Sequence, residues 1–365
     1  MIRPLAEVLM QETFSTADIV RLLSLTDPAD VELLRKRAHE LVLTYCGNRI
    51  YFRGLIEFSN ICVSDCFYCG IRKSNDAVER YMLSKNDIME SAHFCAQSGY
   101  GSVVLQSGER SDELFIAFIE DVVRSIKKET VSPELPNGLG ITLCVGEQTE
   151  EVYRRFFNAG AHRYLLRIET TSPTLFAKIH PQQQSLNNRM ECLNRLRRVG
   201  FQVGTGVMIG LPGQTIEDLA NDIQFFKRSN VDMFGMGPYI VHHQTPMAHY
   251  DREIAARKDE IFLLALKMIA VTRIVCRDVN IAATTALQAM QYDGREQGLN
   301  FGANIIMPQT TPVDVRNNYL LYEGKPCLDE NAMQCKSCLE RRIRSVGREI
   351  GTNGWGDSRH FAARS

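Results

Sequence analysis

The sequence predicts an α/β protein built as a single (β/α)8 barrel of the TIM type. Eight short β-like runs alternate along the chain with helix-like segments. The runs are mostly apolar, as strands covered on both faces should be. Several helix-like segments begin at a capping residue and end at a glycine. We therefore expect an N-terminal helical extension over residues 1–49, the barrel over 50–310 and a C-terminal segment over 311–365.

The predicted strands recur at the intervals that a repeated strand–helix unit requires. They are Arg53–Ser59, Ser102–Ser107, Gly140–Val145, Arg163–Thr170, Gln202–Ile209, Asp232–Ile240, Asn280–Leu287 and Ala303–Pro308.

The predicted helices are marked by caps and apolar stripes. Ser84 and Asp87 resemble a capping box, and Gly99 ends the helix that follows them. Apolar residues between Glu113 and Glu129 fall on one helical stripe. The remaining predicted helices are Thr149–Gly160, Ser185–Gly200, Thr215–Asn230, Ala255–Val275 and Arg295–Gly302.

Composition and charge exclude several classes of partner. The chain has 42 Lys and Arg against 43 Asp and Glu, a net charge of −1, which favours neither nucleic acid nor an anionic membrane surface. The longest apolar stretch, Ile261–Val275, is too short and too charged to span a bilayer. The 11 cysteines are odd in number and the start of the chain has no apolar leader. We expect free thiols and a cytoplasmic protein.

Three cysteines follow the first predicted strand directly. Cys62, Cys66 and Cys69 are spaced by three and then two residues. A [4Fe–4S] cluster normally takes four cysteines, so three close ligands leave one iron open to another molecule. The spacing differs from that of paired structural zinc motifs and of bacterial ferredoxins. A three-cysteine zinc site and a disulfide framework are the alternative interpretations.

Polar groups stand at the ends of other predicted strands, where the chemistry of such barrels gathers. Arg163, Arg167 and Glu169 share one parity of the fourth strand, so all three could face the barrel interior. Charged residues inside apolar strands are costly unless they are paired or bind something. An ion pair between Arg167 and Glu169 with no further role is the plainer interpretation.

The cysteine triplet, with Tyr68 before its last member, resembles the signature of the radical S-adenosylmethionine (SAM) enzymes. In that family the amino and carboxylate groups of SAM bind the open iron, and an electron from the cluster cleaves SAM to a 5′-deoxyadenosyl radical. The resemblance implies SAM contacts from Tyr68, Ser107, Glu109, Arg167, Glu169, Arg189 and Met208. The chain departs from the family at Ser107, where the family has glycine, and lacks a final glutamate at Gly213.

Longer blocks over roughly residues 50–340 resemble the HydE family of [FeFe]-hydrogenase maturases. The resemblance implies a cavity for a small, anionic iron–carbonyl–cyanide–cysteine substrate made by the maturase HydG, with a product that passes toward HydF. An electron donor is a further implied partner. The cavity residues that it implies are Gln106, Arg163, Thr284, Thr285, Met307 and Tyr322.

A second set of cysteines lies in the C-terminal segment. Cys327, Cys335 and Cys338 resemble the accessory iron–sulfur site found in part of the same family. These thiols could equally bind zinc or no metal.

Three other functions compete with this interpretation. A biotin synthase needs further cysteines inside the barrel, where only Cys144 is placed to face inward. A methylornithine synthase is harder to exclude from residue types, although the Thr284–Thr285 pair and the accessory cysteines favour a maturase. A non-catalytic iron–sulfur carrier would have little use for a full barrel with a polar interior.

Overall fold

The site is built on a parallel sheet of nine strands, eight of which follow one another around the barrel, as the computed structural model of residues 3–364 shows. The strands are β1 (Arg49–Ser59), β2 (Ser102–Ser107), β3 (Gly140–Cys144), β4 (Arg163–Leu165), β5 (Gln202–Thr205), β6 (Met208–Ile209), β7 (Met233–Phe234), β8 (Gly237–Pro238), β9 (Asn280–Ile281), β10 (Ile305–Ile306) and β11 (Glu349–Gly351). In the main sheet the order is β10-β1-β2-β3-β4-β5-β7-β9, and β6 pairs with β8 separately.

The sheet curls until its two ends meet. A parallel bridge joins Ala282, just after β9, to Ile305 of β10, and the Asn304 N–H donates to the Ile281 carbonyl at 2.9 Å. Neighbouring strands are parallel throughout, as crossovers through helices require. The predicted (β/α)8 fold class is confirmed.

Helices surround the barrel and begin where the sequence supplies caps. Ser84 with Asp87, and Thr215 with Asp218, form reciprocal capping boxes. The helices are α1 (Leu5–Met10), α2 (Thr16–Leu23), α3 (Pro28–Cys46), α4 (Lys85–Gln97), α5 (Glu113–Glu129), α6 (Glu150–Ala159), α7 (Pro173–Ile179), α8 (Leu186–Val199), α9 (Ile216–Arg228), α10 (Asp251–Ala256), α11 (Lys258–Cys276), α12 (Thr285–Met290), α13 (Gly294–Asn300), α14 (Val313–Arg316), α15 (Ala332–Ser345) and α16 (Arg359–Ala362).

The N-terminal helices pack on the outside of the barrel. Helix α3 lies against α11, and α2 lies against both α9 and α11. The Lys267 ammonium, within the long apolar helix α11, donates to the Leu25 carbonyl at 2.9 Å. This contact explains how a lysine is tolerated in that helix. No helix of residues 3–364 is long and apolar enough to cross a membrane.

Several predicted strands are too long at their C-terminal ends. The seventh was expected to reach Leu287, but β9 stops at Ile281 and α12 starts at Thr285. The residues of α12 include Ala, Leu, Gln and Met, all good helix formers, and they follow Thr284 at the N-cap position. The fifth and sixth predicted strands are each interrupted, so that each contributes two short strands.

The C-terminal segment adds a strand to the barrel sheet. Strand β11 pairs in parallel with β1, with Arg49 opposite Glu349. Beyond it, the indole of Trp355 donates to the Gly138 carbonyl at 2.8 Å, at the start of β3. Because β3 starts at Gly140, these residues cover the N-terminal end of the barrel. The opposite end, where the strands finish, carries the site.

Candidate active site

One cavity of about 280 Å³ at the C-terminal ends of the strands brings together nearly all of the residues named above. Its walls include the three cysteines that follow β1. Of the side chains implied for SAM or substrate, those lining it are Tyr68, Gln106, Ser107, Glu109, Arg167, Glu169, Arg189, Met208, Thr284, Thr285, Met307 and Tyr322.

The cysteine loop packs closely against the end of β2. The Glu109 N–H donates to Cys62 Sγ at 3.3 Å, and the Val63 N–H donates to the Glu109 carbonyl at 2.9 Å. A Cβ at Gly108 would lie 2.4 Å from the Ile61 carbonyl oxygen, so only glycine allows this approach. Glycine is therefore required at position 108, whereas serine is accommodated at position 107, where the family has glycine.

Burial keeps the three thiols protonated in the absence of a metal. Burial raises the pKa of Cys62, and it raises the pKa of Cys66 to about 12 despite the nearby Arg189. The pKa of Cys69 is raised well above its ordinary value for the same reason. Metal binding to these thiols therefore releases protons. Three free thiols on one cavity wall, one already accepting a backbone N–H, suit a [4Fe–4S] cluster with one iron facing the cavity.

The carboxylate of Glu109 is held on two sides. Ser64 Oγ donates to Oε1 at 2.8 Å, and the Glu147 N–H donates to Oε2 at 3.0 Å. Gly146 has a φ of +83°, and a Cβ there would lie 2.2 Å from Glu109 Cγ. This cradle aims a fixed carboxylate into the cavity beside the cysteine loop, where it can accept hydrogen bonds from an ammonium group.

Arginine and carboxylate side chains alternate across the adjoining wall. Arg167 pairs with Glu169 at 3.0 Å, and Tyr68 donates from its hydroxyl to Glu169 Oε1 at 3.4 Å. Arg189 donates to the Arg167 carbonyl at 2.7 Å and forms an ion pair with Glu147. Charges of both signs at fixed positions match a zwitterionic amino acid, such as the methionyl end of SAM.

Glu169, which pairs with Arg167, adopts an uncommon backbone conformation. Its φ is +65°, in the left-handed region that non-glycine residues seldom occupy. Backbone bonds on both sides maintain it: its N–H donates to the Gly206 carbonyl, and its carbonyl accepts from the Met208 N–H, both at 3.0 Å. This conformation turns the carboxylate toward Tyr68 and Arg167.

Hydroxyl and amide groups line another part of the cavity. Tyr322 and Thr285 share a hydrogen bond of 2.7 Å, and the Gln106 amide donates to the Tyr319 hydroxyl at 3.3 Å. Burial raises the pKa of Tyr322 to about 12, so its hydroxyl stays protonated and able to donate. The Thr284 hydroxyl lies beside them, directed at the Met236 carbonyl at 3.4 Å.

Arg163 does not line this cavity, so the structure does not bring it together with the other residues predicted to contact substrate. Its guanidinium is fully buried near the opposite end of the barrel, where it pairs with Asp357 at 2.6 Å. It also donates to the Thr142 hydroxyl, the Ser102 hydroxyl and the Trp355 carbonyl. The parity of β4 did place Arg163 inside the barrel, but the C-terminal segment satisfies its charge there.

Several cavity residues were missed by the sequence reasoning. A buried ion pair joins Glu57 of β1 to Lys325 at 2.6 Å, and Gln309 donates to the same carboxylate at 2.7 Å. A glutamate within an apolar strand was the available signal for it. Gln184 also lines the cavity and accepts a hydrogen bond from the Cys66 thiol at 3.5 Å. Its position in a polar loop gave no such signal.

The accessory cysteines lie outside this cavity, and only two of them meet. The ligand atoms of Cys327, Cys335 and Glu330 lie within 4.8 Å of one another. Cys338 stands one turn further along α15, where it accepts from Arg342 Nε at 3.4 Å. The hydrogen bond between Cys327 and Cys335 lowers the pKa of the former and raises that of the latter.

Replacing Cys327, Cys335 and Cys338 together with serine is expected to lower the iron content of reconstituted protein and to leave SAM cleavage within about twofold of wild type. The reason is that none of the three lines the cavity. Iron analysis and the yield of 5′-deoxyadenosine measure the two effects. Loss of SAM cleavage in a folded triple variant would show that the accessory site takes part in radical generation.

Comparisons with known proteins agree with this geometry. The Radical SAM superfamily profile matches residues 56–226. The [FeFe] hydrogenase maturase subunit HydE of Thermotoga maritima is 41% identical over 360 residues, covering 98% of both chains. The 3-methylornithine synthase of Methanosarcina acetivorans is 26% identical, over 92% of this chain and 90% of its own.

Solved structures share the fold. Methylornithine synthase (PylB) aligns with a TM-score of 0.79 at 24% identity, over 96% of this chain and 97% of that one. HydG from Carboxydothermus hydrogenoformans aligns with a TM-score of 0.77 at 18% identity, over 93% of this chain and 77% of that one. Membership of the superfamily implies a [4Fe–4S] cluster and SAM, which the cysteine loop and its charged neighbours fit. The chain is a radical SAM enzyme and belongs to the HydE family of [FeFe]-hydrogenase maturases.

Proposed function

We propose that this enzyme modifies a small iron–carbonyl–cyanide–cysteine precursor during assembly of the di-iron subcluster of [FeFe]-hydrogenase. HydG would supply the precursor, HydF would accept the product, and a reductant would deliver the electron. The observation that carries the proposal is the division of one cavity into two parts. A charged part adjoins the cysteine loop, and a part rich in hydroxyl and amide groups extends from it.

The charged part suits SAM. When bound, the cluster and SAM supply a 5′-deoxyadenosyl radical by reductive cleavage. Glu109 would accept from the ammonium of SAM, and Arg189 would donate to its carboxylate. Tyr68 and Met208, on the same walls, would help to orient it. Cys62, Cys66 and Cys69 would hold the cluster.

The polar part suits a compact anion. Gln106, Thr284, Thr285 and Tyr322 offer neutral donors, and Lys325 adds a cation that is already paired with Glu57. Neutral donors in a buried space bind a partly delocalised negative charge without neutralising it. Met307 supplies an apolar contact on the same wall. Enclosure also keeps water and other quenchers away from a radical.

An assay of hydrogenase maturation tests the proposal directly. Apo-hydrogenase, HydG, HydF, SAM and a reductant are combined with and without the reconstituted enzyme. Hydrogenase activity should appear only when the enzyme is present. Equal activity without it would overturn the assignment, and formation of 3-methylornithine would show that the enzyme has the activity of the 3-methylornithine synthases instead.

Tyr322→Phe separates radical generation from substrate binding. The change removes one hydroxyl from the polar part, and a hydrogen bond to a charged group contributes about 1.5–3 kcal/mol. We therefore expect maturation to fall about 10- to 100-fold, with SAM cleavage within about twofold of wild type. Tyr292→Phe, at a tyrosine that is 80% exposed, is the matched control. Equal maturation by the two variants would show that the Tyr322 hydroxyl does not bind the substrate.

A further inference from the structure

A cluster of two histidines and a glutamate lies beside the cavity and has no part in the proposed chemistry. His242, His243 and Glu323 each place one ligand atom within 4.8 Å of the other two. The side chain of His242 is only 3% exposed, whereas that of His243 is 69% exposed. One ligand is thus fixed by burial and another is open to arriving ions.

Both imidazoles direct a nitrogen at the same carboxylate oxygen. His243 Nδ1 contacts Glu323 Oε1 directly, and His242 Nδ1 lies 3.7 Å from that atom. The two rings are stacked nearly parallel, with centroids 5.1 Å apart. The Gln244 N–H donates to His242 Nδ1 at 3.1 Å, which assigns the proton of that ring to Nε2. The unprotonated nitrogen of His242 therefore faces the carboxylate.

We propose that His242, His243 and Glu323 bind a divalent transition-metal ion of the Zn²⁺ class. Two neutral imidazoles and one carboxylate are a ligand set that such ions favour, and water can complete a tetrahedron. Ligand bonds of about 2.0–2.2 Å are reached by small side-chain movements from the present spacing. On binding, His242 exchanges its hydrogen bond from Gln244 for the bond to the metal.

The ion would join two walls of the cavity. The histidines come just after Tyr239 and Ile240, which line it, with Val241 between, and Glu323 lies between Tyr322 and Lys325, which line it from the C-terminal segment. The backbones are already linked here, because the Glu323 N–H donates to the Val241 carbonyl at 3.3 Å. A metal at this point would hold the segment of residues 319–325 in place over the cavity.

The same segment also contacts the cysteine loop. The Gly70 N–H, next to Cys69, donates to the Leu321 carbonyl at 3.1 Å. A Cβ at Gly70 would lie 2.4 Å from His242 Cδ2, so the buried histidine packs directly on this loop. The metal would thus fasten the cover of the cavity at the edge where the loop ends, without being part of the cluster.

Zinc titration of the reconstituted enzyme tests the site, with iron–sulfur clusters occupying the cysteines. The titration is done in the Cys327, Cys335, Cys338 triple-serine background, which removes the accessory thiols. We expect one equivalent of Zn²⁺ to bind by calorimetry. His243→Ala and Glu323→Gln should each weaken it at least about tenfold, the smallest loss typical of changes near a metal. His249→Ala, at an exposed histidine outside the cluster, should leave binding unchanged.

Hydrogen exchange supplies a second readout that does not depend on catalysis. Zn²⁺ should slow exchange of the amides of residues 319–325 in the triple-serine protein, but it should not do so when His243→Ala is added. Equal zinc affinity in the His243, Glu323 and His249 variants would overturn the proposal. Absence of zinc binding by the triple-serine protein would overturn it as well. If the wild-type chain binds zinc and the triple-serine protein does not, the ion binds at the accessory cysteines, and this result would also overturn the proposal.

Discussion

Cys66→Ser is expected to abolish reductive cleavage of SAM by the reconstituted enzyme. Serine is a poor iron ligand, and two remaining thiolates cannot hold a cluster that normally needs at least three protein ligands with SAM as the fourth. Iron bound per chain should fall by one cluster, and 5′-deoxyadenosine should drop to the level of the assay without enzyme. Both quantities are measured on anaerobically prepared protein.

Cys46→Ser is the matched control for this variant. Cys46 is also a partly buried free thiol, but it accepts from Arg273 at 3.2 Å, far from the cavity, and a serine hydroxyl can accept in its place. Its SAM cleavage should equal that of wild type. Wild-type turnover in Cys66→Ser would contradict the assignment of the cluster to the loop after β1.

Asp357→Ala is expected to lower the free energy of unfolding by about 2–3 kcal/mol. Removing one partner of a buried ion pair typically costs 3–5 kcal/mol, because a charge remains buried without compensation. The value is smaller here because 36% of the Asp357 side chain is open to solvent. Arg163, fully buried, would keep its neutral partners but lose its counter-charge. Denaturant unfolding measures the change.

The surface pair between Lys85 and Asp121 provides the comparison. Its partners are 37% and 60% exposed, so Asp121→Ala should change stability by less than about 1 kcal/mol. SAM affinity should be normal in both variants, because Arg163 lies outside the cavity. If Asp357→Ala loses SAM binding or maturation while its stability is intact, Arg163 contacts SAM or the substrate after all.

The effect of Asp357 should also depend on pH in a defined direction. Burial alone would raise the pKa of Asp357, but the hydrogen bond with His162 and the charge of Arg163 outweigh it and hold the pKa well below the ordinary value. Such a group stabilises the fold above its unfolded pKa of about 3.9 and loses that contribution as the pH falls toward its folded pKa. The stability difference between wild type and Asp357→Ala should therefore be constant near neutrality and shrink below about pH 4.

Local chemistry explains which parts of the site the sequence could predict. Cys62, Cys66 and Cys69 lie within one loop, Glu109 comes two residues after β2 and Thr285 comes four residues after β9, so their position at one barrel end follows from the fold class. Strand parity gives the face of the sheet on which a side chain lies. It does not reveal which side chain from elsewhere will meet it.

Long-range pairs account for what the sequence could not predict. Arg163 meets Asp357 across 194 positions of the chain, and Glu57 meets Lys325 across 268. Both partners come from the C-terminal segment, for which the sequence predicted no strand. Its strand β11 is only three residues long, and its register depends on β1 rather than on any periodicity of its own.

The pairing of β1 with both β10 and β11 has a consequence for biosynthesis. A ribosome completes β1 about 15–60 s before it reaches β11, at the usual 5–20 residues per second. For most of that interval one edge of β1 is unpaired, and the cysteine loop that follows it is already made but not enclosed. Closing a barrel through such distant contacts is slow. The nascent chain therefore exposes Cys62, Cys66 and Cys69 to the cell before the structure that encloses them exists.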